Sequence, residues 1–146
     1  MTNYVNSFQD LEVYKKARIL AEAVYEASSK FPSSERYSLT HQIPRSSRSI
    51  GGQIAESWAK RRYPKHFVSK LTDADGEQME TLHWLNICED RSYLTTDSLS
   101  HLRSLCVEIG KMLGSMIRKA ETFAGGDYHL RDETTSSSEP ALLSEN

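Results

Sequence analysis

The stretch from Gln42 to Arg62 constrains this chain more than any other. Ile43, Ser47, Ile50, Ile54 and Ser57 recur at helical spacing, and the positions between them are small or basic. This reads as a helix buried on more than one side. Serine is a poor helix former, and the adjacent Gly51 and Gly52 alone cost about 2 kcal/mol relative to alanine. Close packing must therefore hold the helix, which makes it an assembly element. Ile50, Gly51, Gly52, Ile54 and Trp58 are the expected packing or subunit-interface residues. Trp58 stands where the small-residue run turns basic, and a subunit interface, the intrachain core and a ligand contact are all open to it.

Around this stretch the chain reads as helices throughout. Leu11, Tyr14, Ala17, Ala21, Val24, Ser28 and Phe31 form a stripe that predicts a first helix from Ser7 or Phe8 to about Lys30, with Ser7 and Asp10 as a capping box. Pro32 stops it, and Ser38 is the expected cap of the second helix, which ends near Arg62 or Tyr63 ahead of Pro64. Pro44 is expected to bend that helix or delay its regular start. The third helix is predicted over 64–89 with Phe67, Leu71, Ala74, Gln78, Leu82, Leu85 and Cys88 along one side. Thr96 or Asp97 caps a fourth, whose stripe of Leu102, Cys106, Ile109, Leu113, Met116, Ala120 and Phe123 has nearly heptad spacing. Four such helices with short links predict an all-α, antiparallel up-and-down four-helix bundle. A loose arm over 1–7, the bundle over 8–123 and a mobile acidic tail over 124–146, rich in Ser, Thr and Glu, complete the expected organisation.

Charge distribution says more than total charge. The 146 residues carry a formal net charge of -2, which argues against indiscriminate coating of nucleic acid. Residues 35–70, however, contain eight basic and two acidic side chains, and residues 71–100 contain one basic and seven acidic. Arg45, Arg48, Lys60, Arg61, Arg62 and Lys65 are therefore the candidate surface for a partner or a nucleic-acid backbone, with solvated or ion-paired surface the plainer account of Arg45 and Arg48.

Nothing in the chain has the spacing of a catalytic or metal-binding motif. The five histidines are dispersed, Glu80 and His83 lack a matching pair elsewhere, and Gly51-Gly52 has no preceding strand as a phosphate loop requires. Ser46, Ser47 and Ser49 are accounted for by helix packing. Cys88 and Cys106 fall in apolar helical contexts and read as buried free thiols. No secretory leader and no run long enough to span a bilayer is present, so a cytoplasmic location without membrane attachment is expected.

Several motifs together resemble the bacterial family associated with intervening sequences in 23S ribosomal RNA genes, the S23 or intervening-sequence family. They are Phe8-Gln9-Asp10-Leu11-Glu12-Val13-Tyr14, Phe31-Pro32 with Glu35-Arg36-Tyr37-Ser38-Leu39, and above all Gln42 to Ile50 followed by Ile54-Ala55-Glu56. The family pattern often reads Asn-Ile-Ala-Glu-Gly where this chain has Gln53-Ile54-Ala55-Glu56-Ser57. The resemblance covers the chain from Phe8 to about Phe123. It implies a homo-oligomer, with a homopentamer as the leading stoichiometry, and no catalytic residue or cofactor. More remotely, the chain is similar to the accessory bundles of diversity-generating retroelements. The expected role is a non-enzymatic oligomeric scaffold or adaptor for an RNA or protein partner; the alternative is a nucleic-acid-binding accessory protein using basic surfaces of the assembly.

Overall fold

The computed structural model describes residues 4–125 and residues 130–131. The expected mobile tail lies, beyond that short piece and the end of the last helix, outside the described residues, as do the first three residues of the expected arm. The architecture is helical, with α1 Glu12–Ser28, α2 Leu39–Ala59, α3 Pro64–Arg91, α4 Thr96–Arg118 and α5 Ala120–Ala124. Single 3-10 turns occupy Phe8–Asp10 and Ser33–Glu35, and Tyr4–Val5 (β1) pairs antiparallel with Leu130–Arg131 (β2). In the helical body, α1 packs on α2 and α4, and α3 packs on α2, α4 and α5.

The expected count of four helices is thereby corrected. The stripe through Ala120 and Phe123 does not continue a single helix, because α4 ends at Arg118 and Lys119 leaves helical geometry at φ -102° and ψ 22°. The apolar spacing survives the break, and Ala120 and Phe123 are both buried. The turn re-aims Phe123 across the end of the helices, with its ring centroid 5.2 Å from Phe67 and 6.3 Å from Trp58. Covering that apolar end stabilises the break, since burial of a phenylalanine is worth about 1.5–3 kcal/mol.

The helix starts show how local chemistry sets boundaries. Ser7 and Asp10 do form the capping box: Gln9 N–H donates to Ser7 Oγ at 3.2 Å and Ser7 N–H to Asp10 Oδ2 at 3.1 Å. It caps only one 3-10 turn, because Leu11 is extended at φ -66° and ψ 130°, so α1 begins later than predicted. Ser38 precedes α2 but makes no side-chain cap, since its hydroxyl donates to the Glu35 carboxylate at 2.7 Å. Pro44 lies inside α2, and α2 stops at Ala59, short of the expected Arg62. Thr95 caps α4 by accepting from Ser98 N–H at 3.1 Å.

The core is where the periodicity places it for α2 and α4, and for α3 except that Leu82 is only partly buried and Thr81 is buried beside it. Ile43, Ile50, Ile54, Phe67, Leu71, Leu85, Ile109 and Leu113 are all buried. In α1 the buried line is Val13, Ala17, Leu20 and Val24, so Tyr14 and Ala21 face sideways towards α2 and are half-buried. The small residues of α2 let polar atoms satisfy one another at close range. Ser46 Oγ lies 2.8 Å from Thr81 Oγ1, and Thr81 donates to the Glu77 carbonyl at 2.9 Å. Both hydroxyls are wholly buried, so these bonds offset a desolvation cost of about 1–3 kcal/mol for each group.

Candidate interaction surfaces

The six basic candidates do not form one surface. Arg45 is drawn onto α3, where its guanidinium pairs with Glu80 and lies 3.6 Å from Glu77 Oε1, while its Nε donates to Gln42 at 3.2 Å. The bond from Arg45, and then that from Trp84 Nε1, holds the Glu80 carboxyl below its ordinary range. Arg45 is thus a stitch between two helices. Arg48 points elsewhere, stacking its guanidinium carbon 5.0 Å from the centre of the half-exposed Tyr25 ring.

Lys60, Arg61, Arg62 and Lys65 gather at the corner where α2 hands over to α3. Arg61 Nη1 donates to the Trp58 carbonyl at 2.8 Å, and its guanidinium carbon lies 4.3 Å from the Trp58 ring centre. Burial, and then the like charge of Arg62, lowers the Arg61 pKa. Lys60, Arg62 and Lys65 are exposed. Tyr63, between them in sequence, is 62% exposed, and its ring meets His66 edge to face at 6.1 Å. A shallow cleft of ≈ 400 Å³ brings Lys65 and Val68 of α3 against Arg118, Ala120 and Glu121 across the α4–α5 break. Arg118 was not legible as a member of this surface, because only the packing of α4 on α3 brings its helix end beside Lys65.

The small-residue stretch divides between core and surface. Ile50 and Ile54 are fully buried, and Trp58 is buried within the chain against Phe123. Gly51 faces α1, where an added Cβ would lie 3.5 Å from Tyr14 Cε1, an ordinary contact. Gly52 is exposed, and among the described residues an added Cβ there would meet nothing within 4 Å. Ala17, Ala21, Gly51, Gly52 and Ala55 form the floor of an open groove of ≈ 570 Å³ between α1 and α2. Arg18, Ile19, Glu22 and Arg48 flank it, and Ile19 is 55% exposed. Ile19 falls off the α1 stripe, and a large apolar residue on an otherwise charged face was the signal that could have found it.

The titratable groups inside the helices are quiet. Burial pushes the Cys88 thiol up to about 11 and the Cys106 thiol up to about 12. Among the described residues no group of three or more His, Cys, Asp or Glu is placed to hold a metal ion, and no helix is long and apolar enough to cross a membrane.

Comparison with known proteins agrees with this arrangement. No curated protein matches the chain. A crystal structure from Bacteroides thetaiotaomicron, described as a protein with unknown function from the S23 ribosomal protein family, is similar at 26% identity with a TM-score of 0.65, covering 73% of this chain and 95% of that one. The family model described as 23S rRNA-intervening sequence protein matches residues 9–115, from the turn before α1 nearly to the end of α4. With most of its helical body matched in sequence and a solved S23-family relative of similar shape, the chain belongs to the 23S rRNA-intervening sequence protein family.

Proposed function

We propose that the protein is a non-enzymatic homo-oligomeric scaffold, assembled through the groove between α1 and α2. The observation that carries this reading is the exposed glycine-floored groove bordered by Ile19 and adjoining Tyr25, which is 49% exposed. Gly52 in mid-helix costs about 1 kcal/mol relative to alanine, and no neighbour among the described residues requires its missing side chain. A second copy seated in the groove supplies the reason, since small residues let helix backbones approach closely. The borders carry both signs of charge, Arg18 and Arg48 with Glu22, which suits contact between identical surfaces. The homopentamer implied by the family resemblance is the leading stoichiometry, and the assembled helices then present repeated surfaces to a partner.

Light scattering coupled to size exclusion tests the assembly. The expected result is a defined oligomer that the paired change Gly52→Leu and Ile19→Asp converts to a monomer with unaltered helical circular dichroism. A wild-type chain that stays monomeric over a wide concentration range overturns the scaffold reading.

A further inference from the structure

We infer that the groove between α1 and α2 is also the seat of the chain's own acidic segment 139–145, which covers the glycine floor and keeps a second copy out. Three observations converge on that occupant. The first is charge. Across the other seams of the helical body, Lys16, Arg45, Lys70 and Arg103 each hold a carboxylate of a neighbouring helix, Glu108, Glu80, Glu56 and Glu89 respectively. At the α1–α2 groove, Arg18 and Arg48 lie against rings instead, Tyr14 at 6.0 Å and Tyr25 at 5.0 Å. Among the described residues Glu22 alone brings a carboxylate to the groove, so two cations face one anion there. An occupant that carries carboxylates completes the balance.

The second observation is composition. Residues 132–146 contain four acidic side chains and no lysine or arginine, and Ala141-Leu142-Leu143 is their apolar run. Glu139 and Glu145 bracket that run, so a segment that sets its leucines on the floor carries a carboxylate to either side. Ala17, Ala21, Gly51, Gly52 and Ala55 offer no side chain larger than a methyl, which leaves depth for a leucine. Ile19 adds apolar surface at the border.

The third observation is the point of departure. Leu130–Arg131 pairs with Tyr4–Val5, and shortly beyond Val5 the turn at Phe8–Asp10 packs on both α1 and α2. Phe8 lines the groove, so Arg131 is tethered near its mouth. The residues from Arg131 to Leu142 reach at most about 36–40 Å, whereas the groove from Phe8 to Glu22 runs about 20 Å. A short tether gives an effective concentration on the order of 1 mM, so even a weak seat competes with a second copy at micromolar concentration. The exclusion of a second copy rests on the scaffold reading of this groove, whereas the seat itself does not.

A nitroxide attached to the full chain through Ser144→Cys tests the seat by NMR, the native thiols being buried. The expected result is broadening of the Gly51, Gly52 and Ile19 amides that persists when the isotope-labelled, nitroxide-bearing chain is diluted about tenfold with unlabelled chain. The paired change Leu142→Ser and Leu143→Ser is expected to abolish the broadening, and Glu139→Gln with Glu145→Gln to remove about half of it. Without the nitroxide, the leucine pair change should lower the association midpoint seen by light scattering about tenfold. Circular dichroism on the same samples reports the fold. Absence of broadening, broadening that vanishes on dilution and so comes from another molecule, or broadening indifferent to the leucine changes overturns the seat. Broadening with an unmoved association midpoint overturns the exclusion of a second copy. A chain that stays monomeric with the broadening intact overturns the scaffold reading and supports the seat.

Discussion

Replacing the helix glycines one at a time should produce opposite signs at different sites. At Gly76, in α3, an added Cβ meets nothing within 4 Å among the described residues, so Gly76→Ala gains only helix propensity and stabilises the fold by about 1 kcal/mol. At Gly110, in α4, the same methyl would lie 3.0 Å from Gln78 Oε1 and 3.6 Å from Asp75 Oδ1. Gln78 is 4% exposed and wedged between α3 and α4, so it has no solvent into which to retreat. Overpacking of this kind costs about 1–3 kcal/mol, which exceeds the propensity gain and leaves Gly110→Ala destabilised by about 1 kcal/mol. Urea unfolding followed by circular dichroism resolves a difference of about 2 kcal/mol between the two variants, provided the slopes agree. A Gly110→Ala protein as stable as Gly76→Ala would show that α3 and α4 do not approach as closely as described. Gly52→Ala extends the series to the groove: it should gain about 1 kcal/mol in a dissociated chain while weakening the assembly.

Two further outcomes follow from titratable groups. Cys88 and Cys106, with thiols pushed up to about 11 and about 12 by burial, should resist an aromatic disulfide reagent at mildly alkaline pH and both react once the chain is unfolded; stoichiometric labelling of the native protein at the rate of a free thiol would refute their burial. Glu80, whose carboxyl is held below its ordinary value of 4.5 by Arg45 and Trp84, contributes stability that is complete above that value and is lost as pH falls through the lowered one. Glu80→Gln should therefore flatten the fall of the urea midpoint below about pH 4.5, and because the pair is more than a third exposed the loss at neutral pH should stay within about 1 kcal/mol.

The amino-acid sequence by itself determined the helical class, the burial of Ile43, Ile50 and Ile54, and the line from Leu102 to Phe123, because apolar spacing records which face a helix must hide. It also carried the motifs of the family. Only the tertiary structure decided that α4 breaks at Lys119, since Ala120 and Phe123 keep the same spacing whether the helix continues or turns. It likewise decided that the buried line of α1 runs through Leu20 and leaves Tyr14 and Ala21 at the groove, because a helix with apolar residues on several faces is rotated into place by its neighbours. The same holds for the charges. Arg45 and Lys65 look alike in the sequence, but Arg45 faces the acidic flank of α3 and is neutralised there, while Lys65 stands at a corner where Arg118 of α4 joins it. An arginine's role depends on which carboxylates share its few ångströms of space, and those come from residues far away along the chain.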